Sequence, residues 1–438
     1  MNHDDWRTMS ITSTAALSGQ PDVIITSIVF VLTYVALAIG WIPGLRIDRT
    51  GIALVGAAAM LVIGSIGFKE AMSETDWSTI IVLLSLMIIV AQLTESGLIS
   101  KLANRLVPHR LSPRLTLGLI MAASASTSAL ITNDVAVLAF IPILVMRLHE
   151  RGLRAIPFVL GCTFAANIGS AATIIGNPQN MIVAEALDVH FIQHLVWAIF
   201  PVVIALVMVW GVIILMGGPL EESPEEVAEE KSAVVDVTNR SRRAPTRFRP
   251  IGASLGVIAL MSIIVLFIMP FSRPVSAICI AGVLLLNRVY STDTILSRVD
   301  WSLLVLIISL GVVITAFANT GLPGRSVAAL ETRGIDLEVG WQLAIGTVVL
   351  SNLVNNIPAV LLLIKIIPAS TEDLGLILAV ASTFAGNFII IGSLANMIMV
   401  RQAQEHGVII SFWRHARLGI PITILSTLIL IAWVLITG

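Results

Sequence analysis

Residues 126–145 read STSALITNDVAVLAFIPILV and residues 165–183 read AANIGSAATIIGNPQNMIV. These two stretches place Thr132, Asn133 and Asp134, and then Asn167, Asn177, Gln179 and Asn180, inside otherwise apolar sequence, with glycine or proline close to each polar break. A bilayer tolerates unpaired backbone at depth only where protein or a water-filled cavity covers it. Discontinuous helices in an apolar chain therefore point to a solute site. Much of the pattern returns as SNLVNNIPAVLLLI (351–364) and FAGNFIIIGSLANMIMV (384–400), which adds Asn355, Asn356, Asn387, Ser393 and Asn396. One polar break is a common accident; two matched pairs predict a transporter.

The composition agrees. The chain is 57% hydrophobic and 12% charged, against about 25% charged residues in soluble domains, so it is expected to be an all-α polytopic membrane protein. A net charge of −1 identifies no partner, and no nucleic acid is expected among them. The two cysteines, Cys162 and Cys279, lie in apolar runs and are expected to be core residues, not a disulfide framework. The first 20 residues have no basic flank leading into an apolar core, so no cleavable signal peptide is expected. Neither CxxC, HExxH nor a Walker motif occurs, and no cofactor is expected.

Apolar runs long enough to span at about 20 residues each lie at 23–41, 51–68, 78–98, 155–187, 191–216, 251–270, 274–290, 301–320, 374–400 and 413–437. Two further regions, 114–148 and 340–370, hold pairs of shorter apolar helices around Asn133-Asp134 and Asn355-Asn356, and each pair predicts a re-entrant hairpin. The expected organisation is an extracytoplasmic tail (1–22), a first transmembrane repeat (23–216), a linker (217–250) and a second repeat (251–438). The linker passes from EESPEEVAEE (221–230) to RSRRAPTRFR (240–249), a composition that suits a flexible connection. The halves align block by block: DWSTIIVLL at 76 with DWSLLVLII at 300, ESGL at 95 with NTGL at 319, TND at 132 with VNN at 354, GNPQNMIV at 176 with GSLANMIM at 392, and Pro201 with Pro421. This is an internal repeat. Each half holds five spans and one hairpin, an odd number of crossings, so the repeats are expected to be inverted.

Basic residues orient the chain. One side gathers 20 of the 26 lysines and arginines, among them Arg105, Arg110, Arg114, Arg147, Arg151, Arg154, Arg249, Arg298, Arg414 and Arg417; the other has Arg7, Lys69, Arg273, Arg325, Arg333 and Lys365. The richer side is expected to be cytoplasmic, the linker with it, and both termini extracytoplasmic, in a bacterial inner membrane.

Helix N-termini carry partial positive charge and hold anions, whereas unwound carbonyls suit a cation. Segments after Asp134, Asn180, Asn356 and Asn396 each begin a half-helix, and none of the four breaks has a lysine or arginine close by. Their amides could hold a small oxyanion without a buried cation. Asp134 is the sharpest residue, since a carboxylate at the bilayer centre costs about 2.5–3.5 kcal/mol. It is expected to carry a proton or ligate a cation; the bland alternative is a cap on the following half-helix. For the asparagines, the bland alternative is hydrogen bonding between helices, worth about 0.6 kcal/mol on average. Glu95 and Glu185 are expected at the membrane edge, Lys365 at the outer interface, Trp77 and Trp301 as interface anchors, and His194, His406 and His415 show no metal spacing.

TNDVAVLAFIPI, ANIGSAATIIGNPQNMIV, NNIPAVLLL and GSLANMIMV resemble the ion transporter superfamily, which includes divalent anion/sodium symporters, citrate transporters, arsenite efflux permeases and a class of sodium/proton antiporters. The resemblance implies that the tips at Thr132-Asn133-Asp134 and Val354-Asn355-Asn356 bind ion and substrate. Of the symporters' Ser-Asn-Thr tip, only the central asparagines are kept. It also implies an elevator motion and a homodimer, and is nearest to the arsenite permease-like members.

The expected function is secondary active transport of a small anion or oxyacid, coupled to sodium or protons, with sodium held at Asn133, Asp134, Asn355 and Asn356. Arsenite or antimonite efflux and sodium/proton antiport are the rivals within the class. An intramembrane enzyme and a channel are the alternatives from outside it.

Overall fold

The computed structural model describes residues 22–40, 44, 46–108, 110–221, 248–367 and 372–437. The expected N-terminal tail, but for Asp22, and the linker over 222–247 lie outside them. The described chain is all-α, apart from an isolated antiparallel bridge between Leu153 and Glu221.

Ten described helices precede the linker: α1 (Val23–Ile39), α2 (Arg49–Val62), α3 (Phe68–Ser73), α4 (Trp77–Glu95), α5 (Leu98–Ala103), α6 (Pro113–Ile131), α7 (Asn133–Glu150), α8 (Ala155–Ser170), α9 (Pro178–Ala186) and α10 (Phe191–Met216). Ten follow it: α11 (Pro250–Ile268), α12 (Arg273–Leu285), α13 (Thr292–Leu296), α14 (Trp301–Ala318), α15 (Leu322–Glu331), α16 (Gly340–Val354), α17 (Asn356–Ile366), α18 (Glu372–Ala385), α19 (Leu394–Glu405) and α20 (Phe412–Thr437). The two series correspond member by member, down to α10 and α20 at 26 residues each.

Local chemistry sets the starts. Asp22 accepts from Ile24 N and Ile25 N, Asp48 from Gly51 N at 2.9 Å, and Ser112 from Leu115 N ahead of Pro113. Such side chains satisfy amides that the first turn leaves unpaired. Hydropathy alone misses α3, α5, α13 and α15, which are short and follow Gly67, Gly97, Ser291 and Gly321. It also makes α6 shorter than it is. Nothing interrupts α6 between Ser112 and Thr132, and its 19 residues span about 28 Å at 1.5 Å each, long and apolar enough to cross a membrane. By that measure α4, α10, α11, α14 and α20 also qualify.

The chain divides into two compact units that cut across the sequence halves. The first holds α1–α3, α14, α15 and the end of α17. Within it α14, from the second half, packs on α1 and α2: Phe30 and Phe317 stack with centroids 3.8 Å apart, and Thr50 Oγ1 donates to Ser302 O at 3.2 Å. The second unit holds the remaining helices. There α4, from the first half, packs on α11: Gln92 Nε2 donates to Gly252 O at 3.3 Å, and a Cβ at Gly256 would come 2.7 Å from Leu93. Each half lends the other a helix. Helices this apolar on every face need covering on several sides.

The core of the second unit is the broken helices themselves. In α8 every residue but Ile156 is buried, and in α18 every residue from Leu374 to Ala385. At Gly169 a Cβ would collide with the Ala125 backbone, so glycine there lets α8 and α6 touch.

Candidate functional site

Both hairpin tips turn on a strained residue. Among the described residues three that are not glycine have positive φ, and two of them are Thr132 (φ 90°, ψ 145°) and Asn355 (φ 81°, ψ 162°). Such conformations cost on the order of 1–3 kcal/mol and persist where the surroundings enforce them. The matching turns pair Thr132 with Asn355, and therefore Asn133 with Asn356, the first residues of α7 and α17. The sequence pairing of TND with VNN is one residue out of step, because letters in an Asn-Asn run align equally well either way and only the backbone says which one turns. Asn355 serves its own turn, its Oδ1 accepting from Asn356 N at 2.6 Å.

The two broken helices are held by one device used twice. Asn180 Nδ2 donates to Ser170 O and Thr173 O, both at 3.1 Å; Asn396 Nδ2 donates to Gly386 O at 2.7 Å and Ile389 O at 3.1 Å. Each amide thus closes the gap between the end of one half-helix and the start of the next, satisfying carbonyls the break exposes. The amide oxygens reach across the repeats: Asn180 Oδ1 accepts from Thr383 Oγ1 at 3.0 Å, and Asn396 Oδ1 from Asn167 Nδ2 at 3.0 Å. Asn167 and Thr383 stand at equivalent positions of α8 and α18, as Asn180 and Asn396 do of α9 and α19.

Asn167 is the hub. Its Nδ2 also donates to Asn387 Oδ1 at 2.8 Å, and its Oδ1 accepts from Asn133 Nδ2 at 2.9 Å and Ser393 Oγ at 3.3 Å. Asn387 in turn donates to Phe164 O at 3.4 Å. Asn133 N donates to Gly176 O at 3.3 Å, and a Cβ at Gly386 would lie 3.3 Å from both Asn356 Nδ2 and Ser393 Cβ. These contacts bring the starts of α7, α9, α17 and α19 together. Asn177 donates to Ser170 Oγ at 3.4 Å and Gln179 to Thr383 Oγ1 at 3.5 Å, both side chains buried. Gly176 fits beneath them because a Cβ there would strike Ser170 O.

Counting bonds sorts the sequence-predicted residues. Asn167, Asn180, Asn387 and Asn396 spend their amides on the framework. Asn133 and Asn356 hold an oxygen back: both are buried and each Oδ1 has no partner, although Asn133 Nδ2 donates to Asn167. The buried Oδ1 of Asp134, second residue of α7, also has none. An unsatisfied buried acceptor is costly, and the two tips keep three of them. Thr132 contributes its backbone turn and no capping side-chain bond. The residues that sequence reasoning missed are Thr383 and Thr173. The signal was available, since the 216-residue step from Asn180 to Asn396 carries Asn167 onto Thr383.

The hairpins differ in how they are fastened. Ser124 Oγ donates to Cys162 O at 2.8 Å and Ser128 Oγ to Ala166 O at 2.7 Å, tying α6 to α8. The equivalents in α16, Thr347 and Ser351, are buried and their hydroxyls have no partner. Asn352 Nδ2, donating to Ala385 O at 3.3 Å, ties α16 to the second break.

The charged residues expected at the membrane edge are ion-paired. Glu95 meets Arg298 at 2.6 Å, Glu185 meets Arg273 at 3.2 Å and Lys365 meets Glu74 at 3.4 Å. His194 and His415 are both fully buried at corresponding points of α10 and α20, because each helix lays its first turns against the end of a broken helix. His194 Nε2 lies 2.8 Å from Ala171 O, while His415 sets its ring edge-on to Phe164 at 5.1 Å with neither nitrogen partnered. GASLG at 252–256 fits the GxSxG pattern of a nucleophile elbow, yet Ser254 lies inside α11 with its Oγ donating to Ile251 O at 3.0 Å. No group of three His, Cys, Asp or Glu among the described residues could hold a metal.

Apolar helices around paired, amide-lined breaks define a multi-pass membrane transporter. Residues 28–385 match the citrate transporter family, and the chain belongs to it. It is 29% identical over 425 residues to a 46 kDa membrane protein of Mycobacterium leprae, covering 92% of this chain and 96% of that one. It is 28% identical over 481 residues to the silicon efflux transporter LSI3 of Oryza sativa subsp. japonica, covering 94% and 98%. Among solved structures, the Neisseria gonorrhoeae MtrF efflux pump shares the fold with a TM-score of 0.54 at 13% identity, over 96% of each chain. Membership in a transporter family removes the intramembrane enzyme.

Proposed function

We propose that this transporter moves a small oxyacid, neutral or singly charged, between the tips at Asn133 and Asn356, by alternating access coupled to sodium or protons. The supporting observation is the pairing of unspent acceptors, the Oδ1 atoms of Asn133 and Asn356, with half-helix starts that offer backbone N–H donors. A hydroxylated oxyacid donates to the first and accepts from the second, whereas a fully ionised oxyanion can only accept. The likeness to a silicon efflux transporter supports the same chemistry, since silicic and arsenous acids are both uncharged hydroxides at neutral pH. Asp134, with its free oxygen, is the coupling group, taking a proton or sharing a sodium ion with Asn133. The reading includes a homodimer in a bacterial inner membrane with both termini extracytoplasmic.

Proteoliposome flux tests this. Silicic acid, arsenite, phosphate, sulfate, citrate and succinate are offered under separate sodium and proton gradients. Gradient-driven movement of an uncharged oxyacid is expected, abolished by Asp134→Asn with insertion intact. Transport of citrate or succinate alone would overturn the oxyacid reading. Sodium/proton exchange with no solute would move the chain to the antiporters, with the same free oxygens as cation ligands.

A further inference from the structure

A second site lies at the opposite end of α8 from Asn167. A cleft of about 650 Å³ opens where α8 begins, α10 ends and α20 begins. Arg154, Arg414 and Arg417 line it together with Leu160, Met216 and Ile409, and among the described residues no acidic one does. Glu221, whose backbone bridges to Leu153, is not among the lining residues. That bridge and the bond from Arg154 N to Leu220 O at 3.0 Å hold the 217–221 wall in place. Arg414 and Arg417 are exposed and make no ion pair among the described residues.

Asn167 lies thirteen positions along from Arg154, about 20 Å at 1.5 Å each, so the cleft is not part of the amide-lined site. The three arginines belong to the side on which the chain gathers its basic residues. The surface around them is apolar: Leu215 is 84% exposed, Ile409 74% and Trp413 78%. Tryptophan on the turn beside Arg414 is the residue type that settles at headgroup level. The start of α8 adds its partial positive charge, since no side chain caps it.

We propose that this cleft binds the headgroup of one anionic glycerophospholipid, the arginines taking the phosphodiester and the apolar wall the upper acyl chains. Planar guanidinium groups pair with phosphate oxygens two at a time, and basic pockets between membrane helices on the cytoplasmic side take such headgroups. The charge alone would suit a free phosphate. The apolar wall and its continuity with exposed hydrophobic residues argue for a lipid.

The test is native mass spectrometry of the full chain titrated with phosphatidylglycerol or phosphatidylcholine in delipidating detergent. The wild type should retain one phosphatidylglycerol and no phosphatidylcholine. Each arginine lost should weaken retention about fivefold, so R414Q/R417Q falls by roughly 25-fold, while R414K/R417K, which keeps both charges but not the paired bonds, should fall by less. Arg110→Gln, exposed on the same side but outside the cleft, should change nothing. If the double glutamine variant does not fold, the single R417Q provides the comparison at about fivefold. Equal retention by wild type and R414Q/R417Q, or an equal loss with Arg110→Gln, would overturn the site in favour of bulk charge. Displacement of the lipid by inorganic phosphate at equal concentration would show a soluble-anion site and overturn the lipid.

Discussion

Replacing Asn396 or Asn180 with leucine should cost fold stability, whereas replacing Asn133 or Asn356 with alanine should cost transport. In Asn396→Leu, Gly386 O loses its side-chain donor, while Ile389 O keeps the bond from Gly392 N at 3.0 Å. Asn167 Nδ2 keeps Asn387. One orphaned buried carbonyl costs about 1–3 kcal/mol and the two other lost bonds about 1 kcal/mol each, for a total of about 3–5 kcal/mol. Asn180→Leu repeats the arithmetic, with Ser170 O orphaned and Thr173 O keeping Gly176 N at 3.4 Å. An unfolding entropy of about 2 cal/mol/K per residue over 438 residues turns this into a melting temperature lower by about 3–5 °C. Asn133→Ala removes one bond, to an acceptor that Ser393 still serves, and Asn356→Ala leaves no acceptor behind, so either should shift melting by about 1 °C. Intrinsic fluorescence melting in detergent, set beside flux in proteoliposomes, reads both quantities. Equal melting shifts in the two classes, or full flux in Asn133→Ala and Asn356→Ala, would refute the division between framework and ligand amides.

The hairpins provide a paired test. Ser124→Ala and Ser128→Ala should each destabilise by about 1 kcal/mol, while Thr347→Val and Ser351→Ala should be neutral or stabilising, since their buried hydroxyls bond to nothing; chemical denaturation checks the signs. The histidines separate in the same way. His194→Phe strips the ring contact from Ala171 O and should cost about 1–3 kcal/mol, whereas His415→Phe should leave melting unchanged or raised. A fall with His415→Phe matching that of His194→Phe would show that the His415 ring is held by more than packing.

Much of this protein is legible as text because a bilayer punishes irregular backbone. Asn133-Asp134, GNPQN and their echoes stand out against apolar sequence, and the repeat follows from matched blocks such as DWSTIIVLL and DWSLLVLII. The starts of the spans follow from the same hydropathy, within two residues of the observed helices, whereas the runs at 51–68 and 274–290 continue past helices that end at Val62 and Leu285. Thr383 escaped because a threonine in an apolar helix is unremarkable until the repeat sets it opposite Asn167. The short helices α3, α5, α13 and α15 escaped because none is apolar for long enough to register.

Sequence determined where the backbone breaks and which donors and acceptors are present there, since composition and spacing alone decide what a membrane can accept. Tertiary structure decided which of those groups are already spent. Asn133, Asn167, Asn180, Asn356 and Asn396 are one letter in the text. Only the packing of α8 against α19 and of α9 against α18 uses up three of those amides and leaves Asn133 and Asn356 an oxygen to offer. The exchange of α4 and α14 between the halves was likewise invisible, because an apolar helix records that it must be covered and not by which neighbour.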